Sequence, residues 1–294
     1  VSNASAEVEL RGATAWLIGE EGRGVANILE MVALTRFDCM VGSAAGMRQA
    51  VAQATHHARY REAFGKRLDQ QPLMQNVLTD LIIESEAALA LSLRTARSLD
   101  LASDDGERAL FRLLAPIGKY WICKRAPAHA YEAMECIGGR GAIEDCLMPR
   151  LYREAPINAI WEGSGNIQCL DIFRAIARSP ESLDAIVDEL RAAAGLNDHY
   201  DKHRIQLEKW LSELRKSGTG ASEYFGRGLT EALALALQAS VLLRSDCESI
   251  ALAFCFGRLA KGPSGLFGAL PDGIRCDEII DRARPRSVFL EQQA

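Results

Sequence analysis

Several kinds of protein are excluded by what this sequence does not contain. Its eight cysteines (39, 123, 136, 146, 169, 247, 255 and 276) include no Cys-x-x-Cys pair and no spacing that suits a disulfide framework in a chain of 294 residues. They read as reduced, mostly buried thiols of a cytoplasmic protein. No run approaches the roughly 20 apolar residues of a membrane span; the longest candidate, residues 232–243, has Gln238 inside it. A secretory leader is missing too, which weighs little because the chain reads as beginning inside a domain. There is no basic excess: the net charge is −5, so any polyanion partner would need a local patch. No repeat of fixed period is present.

What remains is an ordinary globular composition, 48% hydrophobic and 25% charged, with enough length for a large core. The strand signal is confined to the first 20 residues. Glu7-Val8-Glu9-Leu10 alternates, Arg11-Gly12 can turn, and Ala15-Trp16-Leu17-Ile18 is a short apolar run, which together predict a β hairpin. From Gly24 the apolar period becomes three and four, predicting a long helix over residues 24–60, with Gly42 and Gly46 allowing close packing. A second helix is expected to begin at Pro72 and run to about residue 101. A third should cover residues 107–137, broken or kinked near Pro116 and stopped by Gly138-Gly139-Arg140-Gly141. Beyond Pro180 helical patterning continues for more than a hundred residues, including a long Ala/Leu-rich helix over residues 229–259.

The chain is organised around Ile160-Trp161-Glu162-Gly163-Ser164-Gly165-Asn166-Ile167-Gln168. A helix is expected to open at Ser164 or Asn166 and run to about residue 178, which places Glu162 just ahead of a helix N-terminus. Two readings compete. In the plainer one the acid is favoured by the helix dipole and solvated. In the sharper one Ile157, Ile160 and Trp161 desolvate the carboxylate and make it a general base, while Gly163 and Gly165 let a ligand approach the backbone.

A long helix ending in Arg61-x-x-Phe64-Gly65, then Gln71, then Gly138-Gly139-x-Gly141, then an apolar-Glu162-Gly163 run some twenty residues on, resembles the C-terminal helical domain of the acyl-CoA dehydrogenases. Gln71-Pro72-Leu73-Met74, Met148-Pro149-Arg150-Leu151-Tyr152-Arg153-Glu154 and the Glu162 stretch are similar to the AidB-like branch, as is a helical extension after Arg178. The resemblance implies a mainly α fold: a four-helix bundle over residues 23–180, an extension over residues 181–294, and residues 1–22 as the hairpin end of a β domain. It implies an FAD-dependent oxidoreductase in which Glu162 takes the α-proton of an acyl-CoA thioester as hydride passes to flavin.

The family's roles transfer residue by residue. Arg61 and Phe64 match the flavin-binding Arg-x-x-Phe, a planar fork suited to pyrophosphate oxygens. Gln71 matches a cofactor-binding position, and Glu135, Gly138 and Gly139 match the segment that one subunit lays against its partner's flavin. Ser164 and Asn166 match flavin contacts, Arg36 a residue near the CoA end of the substrate site, and Gly163 the place where the acyl chain lies close. A homodimer or homotetramer is implied. Glu135 stands where glutamine is usual, Ala63 where a hydroxyl is common and Ala142 where an aromatic often follows, which weakens single contacts. The family's N-terminal helical domain and most of its β domain have no counterpart here, so the chain reads as part of a longer gene product, or of a split protein.

The AidB-like branch raises DNA binding as an alternative. Residues 181–294 hold 14 Lys+Arg and 17 Asp+Glu, a net of −3, and only Arg282, Arg284 and Arg286 cluster. His199 and His203 have metal-compatible spacing but lack the intervening glutamate of a zinc protease motif, and no metal site is expected.

Overall fold

The computed structural model of the chain describes residues 6–217, 220–260 and 265–285. Three long helices frame it: α1 (Gly24–Tyr60), α2 (Pro72–Asp100) and α3 (Asp105–Ile137). Pro72 opens α2 where its missing N–H costs nothing. Asp104 caps α3 by accepting the Glu107 N–H at 2.9 Å. Gly138, with φ +72°, ends α3 in a conformation few other residues tolerate. After the short α4 (Met148–Glu154) comes α5 (Gly165–Arg178), the fourth helix of the bundle.

Three expectations are corrected. Residues 6–23 form no strand, and Val8, Leu10, Trp16, Leu17 and Ile18 lie on the surface; two strands alone have no second layer to pack on. The hairpin that does form was missed: β1 (Glu62–Ala63) pairs antiparallel with β2 (Lys66–Arg67) directly after α1. Its two-residue loop, Phe64 and Gly65 at φ +55° and +77°, has the twist of a type I′ turn. Next, α3 runs through Pro116 and Pro127 without a break, because its packing against α1, α2 and α5 offsets the two lost backbone bonds. Close approach of α1 and α3 is permitted by Gly118, where a Cβ would lie 2.1 Å from Met40 Sδ. Gly42 and Gly46 have no helix against them.

The third correction lies in the extension. It comprises α6 (Pro180–Arg191), α7 (Asp198–Ser217), α8 (Gly226–Leu243), α9 (Glu248–Phe254) and α10 (Cys276–Ala283). The expected helix over residues 229–259 is interrupted after Leu243, where the Ser245 hydroxyl and N–H both turn back to the Leu242 carbonyl. A π turn, Cys255–Ala260, follows α9.

Extension and bundle share one apolar core, which runs from Met40, Leu81 and Leu114 through Phe173 and Leu190 to Leu233, Phe254 and Ile279. A buried ionic cluster adds to it. Arg258 of the π turn reaches Asp80 and, at 3.0 Å, Glu84 on α2, while Arg125 on α3 reaches Glu84 at 3.1 Å and lies over the Phe267 ring. Burial pushes the Glu84 carboxyl up, but the two guanidiniums outweigh it and hold its pKa near 2.

Candidate functional site

Between α4 and α5 the chain makes a short 3-10 turn, Ile157–Ala159, tied to α1 by Asn158 Nδ2 donating to Ser43 Oγ at 3.2 Å. Glu162 follows at φ +56° and Gly163 at φ +96°. Among the described residues, Glu162 and Phe64 are the non-glycine residues with left-handed backbone, a conformation that costs on the order of 1–3 kcal/mol and persists only when neighbours impose it.

Those neighbours are visible. The Glu162 carbonyl accepts from Arg36 Nε and Gln168 Nε2, each at 3.1 Å. The Gly163 carbonyl accepts from Lys119 Nζ at 2.9 Å and Gln168 Nε2 at 2.8 Å. Both carbonyls therefore face into the protein. Among the described residues, the N–H groups of Glu162, Gly163 and Ser164 meet no acceptor. A Cβ on Gly163 would lie 2.8 Å from Ile167 Cγ2, so the turn is closed to larger residues.

Side-chain surroundings depart from expectation. Ile160 and Trp161 are 60% and 41% exposed, and Glu162 itself is half-buried, so within this chain the apolar wall is open on one side. Trp161 is turned by its indole N–H toward the Cys39 thiol, whose pKa burial pushes up. Arg36 is not a free surface arginine: besides Glu162 it grips Asp171 at 2.7 Å, and Arg112 forks onto the same carboxylate with two bonds of 3.0 Å. Burial pushes the Asp171 carboxyl up, and the two arginines overcome this and hold it below its usual value. Arg36 also lines a cleft of about 650 Å³ with Arg108, Phe111, Arg112, Pro116 and Ser182.

Ser164 precedes the first residue of α5, but its side chain makes no cap bond. Asn166 Oδ1 accepts from Arg227 Nε of α8 at 2.9 Å.

The remaining predicted residues form a second group. Arg61 follows the end of α1 and lines a cleft of about 570 Å³ with His56, His57, Arg140 and Asp145. Burial, then Arg61 and Arg140, push the His57 pKa down. Phe64 stands at the hairpin tip, 98% exposed, and Gln71 Nε2 braces that hairpin by donating to Ala63 O at 2.9 Å. Glu135 is exposed on the last turn of α3 and its carbonyl accepts the Gly138 N–H. Gly138 and Gly139 face open space, whereas a Cβ on Gly141 would lie 2.5 Å from the Met134 carbonyl.

The structure thus brings Arg36, Glu162, Gly163, Ser164 and Asn166 together, and separately Arg61, Phe64, Gln71, Glu135, Gly138 and Gly139. Arg36 and Arg61 stand 25 positions apart along α1 and its end, about 37 Å at 1.5 Å per residue. Sequence reading missed Lys119, Gln168, Asp171, Arg112 and Arg140. A signal existed for the first two: Lys119 is a single cation within the buried run of α3, and Gln168 is a polar residue on the apolar stripe of α5.

The fold is a helical bundle with a left-handed glutamate just ahead of its fourth helix and an arginine and a glycine turn at the far end. Residues 22–177 match the model of the acyl-CoA dehydrogenase C-terminal domain, and the chain belongs to that family. It is 41% identical to AidB of Escherichia coli over 254 residues, covering 86% of this chain and 46% of that protein. The Caenorhabditis elegans ACDH-11 structure in complex with C11-CoA superposes with TM-score 0.71 at 26% identity, covering 81% of this chain and 45% of that one. A Bacillus anthracis acyl-CoA dehydrogenase complexed with FAD, 16% identical, shares the fold at TM-score 0.64 over 81% of this chain and 48% of its own. The chain therefore spans about half the length of the relatives it matches.

Proposed function

We propose that this chain carries the catalytic base, and part of the flavin and acyl-CoA sites, of an enzyme that desaturates a thioester between its α and β carbons. The observation that carries the reading is the Glu162 backbone: its carbonyl is held inward and its N–H meets no acceptor among the described residues. That N–H can polarise a thioester carbonyl while the carboxylate takes the adjacent α-proton. The β-hydrogen then leaves as hydride, for which bound FAD would supply the acceptor. The cleft beside Arg36 offers Phe111 and Pro116 to an apolar ligand segment, while its arginines are already paired, Arg36 and Arg112 with Asp171 and Arg108 with Asp105.

The residues fit FAD. Arg61 and Arg140 offer guanidinium forks for phosphate oxygens, and the open space over Gly138 and Gly139 admits a ligand against the backbone. A single flavin cannot span the length of α1. We therefore assign Arg61, Phe64, Gln71, Glu135, Gly138 and Gly139 to flavin shared with a second copy, in a homodimer or homotetramer, and Ser164 and Asn166 to flavin in their own copy. The family match ending at residue 177 and the start of α6 at Pro180 support residues 23–180 as the flavin and substrate domain. Residues 181–294 are then the extension and residues 1–22 the end of a preceding β domain. Eight unpaired thiols suit a cytoplasmic setting, and no helix among the described residues is long and apolar enough to cross a membrane.

The DNA alternative rested on Arg282, Arg284 and Arg286. Arg282 lies 3.6 Å from Glu86, and Arg284 pairs with Asp69 and Asp281, while Arg286 is outside the described residues. His203 Nε2 lies 3.0 Å from the Ala232 carbonyl and His199 stacks on Phe256.

The test is Glu162→Gln in the full-length gene product. Flavin absorbance is expected to stay and turnover to fall by about 10²–10⁴; an unchanged rate removes the base assignment.

A further inference from the structure

We infer that Lys119 is a positioning residue for Glu162: seated on the Gly163 carbonyl, its ammonium locks the left-handed Glu162-Gly163 backbone and so aims the carboxylate and the adjoining N–H groups at the ligand. The inference rests on the dehydrogenase reading above and adds the residue that keeps the base in place.

Lys119 lies in the middle of α3, where residues 113–123 are all buried, and is itself 1% exposed. Burying an ammonium is costly unless a carboxylate pairs with it. Among the described residues Lys119 makes no ion pair, and its hydrogen bond goes to the Gly163 carbonyl at 2.9 Å. Around it lie the Glu162 carboxylate, the Arg36 guanidinium and the neutral thiols of Cys39 and Cys123, whose pKa values burial pushes up. For stability alone, a methionine would fill the same space at lower cost. The position of the charge explains its retention. Glu162 and Gly163 are successive residues with positive φ, and the first has a Cβ. Arg36 and Gln168 hold the first carbonyl; the second is held by Gln168 and by Lys119, its one charged donor. Without Lys119 the Gly163 peptide can rotate, and Glu162 can relax out of its left-handed well.

The experiment uses Lys119→Met and Lys119→Gln in the full-length product and in this chain. For Lys119→Met the melting temperature of the chain should stay level or rise, with flavin content and KM within threefold of wild type. Its kcat should fall roughly 100-fold, the effect of moving a base by about 1 Å. Crystals of the chain should show Glu162 outside the left-handed region. Lys119→Gln keeps a neutral donor and should recover about tenfold of the loss. An unchanged kcat, or a melting temperature that falls in step with kcat in both variants, overturns the inference. Glu162→Gln separates the two ideas. If it turns over normally the dehydrogenase reading fails, and if it is inactive while Lys119→Met is not, only the role of Lys119 fails.

Discussion

Arg227 on α8 donates to Asn166 Oδ1 at the second residue of α5, so the extension touches the helix that follows Glu162. Arg227→Ala should release the Asn166 amide at a stability cost of about 1 kcal/mol or less, the worth of one exposed hydrogen bond. If Asn166 faces flavin, the dissociation constant for FAD should change severalfold, read by fluorescence quenching on titration; an unaltered constant would detach the extension from the site.

Gly163→Ala should be poorly tolerated. The new Cβ meets Ile167 Cγ2 at 2.8 Å and the backbone sits at φ +96°, so urea unfolding should show a loss of about 1–3 kcal/mol. A midpoint equal to wild type would mean that the turn can reshape itself.

Phe64 offers the opposite case. It is almost wholly exposed in a left-handed conformation, which a glycine adopts without strain. Phe64→Gly should therefore leave the stability of the chain within about 1 kcal/mol while lowering flavin retention of the full-length product on gel filtration. Equal retention would remove Phe64 from the cofactor group.

Glu84 gives the pH dependence. Its folded pKa of about 2 lies below the ordinary glutamate value of 4.5, so its ionised form stabilises the fold above pH 4.5. That contribution, on the order of 3 kcal/mol, is lost as pH falls from 4.5 through 2. Glu84→Gln should lower unfolding free energy at pH 6, and the gap to wild type should shrink below pH 4.5. A gap that stays constant with pH would contradict the Arg125–Arg258 account.

The helices were legible because each begins or ends with a local signal: Pro72, Asp104 and Gly138 are punctuation that acts within a turn of itself. The predicted hairpin over residues 7–18 failed for the converse reason, since alternation marks a strand only where a second layer exists to cover one face. Phe64-Gly65 carried a turn signal too weak to read, because phenylalanine rarely takes a positive φ. For the site, the motif located Glu162, but nothing near it in sequence shows that Lys119, 43 positions earlier, holds the next carbonyl. Arg36 was singled out for a ligand, and only the fold shows its fork occupied by Asp171 and the Glu162 backbone.

Helix α1 also sets a spacing. The Arg36 and Arg61 groups are joined by one unbroken run of helix, so their separation and relative azimuth are fixed by residue count alone. One residue inserted between them would lengthen the span by 1.5 Å and turn one group against the other by about 100°. If two copies share each flavin, every such insertion would be felt twice, once at each end of the pair. Substitutions along this stretch can be absorbed by repacking, but a change in its length would put two half-sites out of phase together.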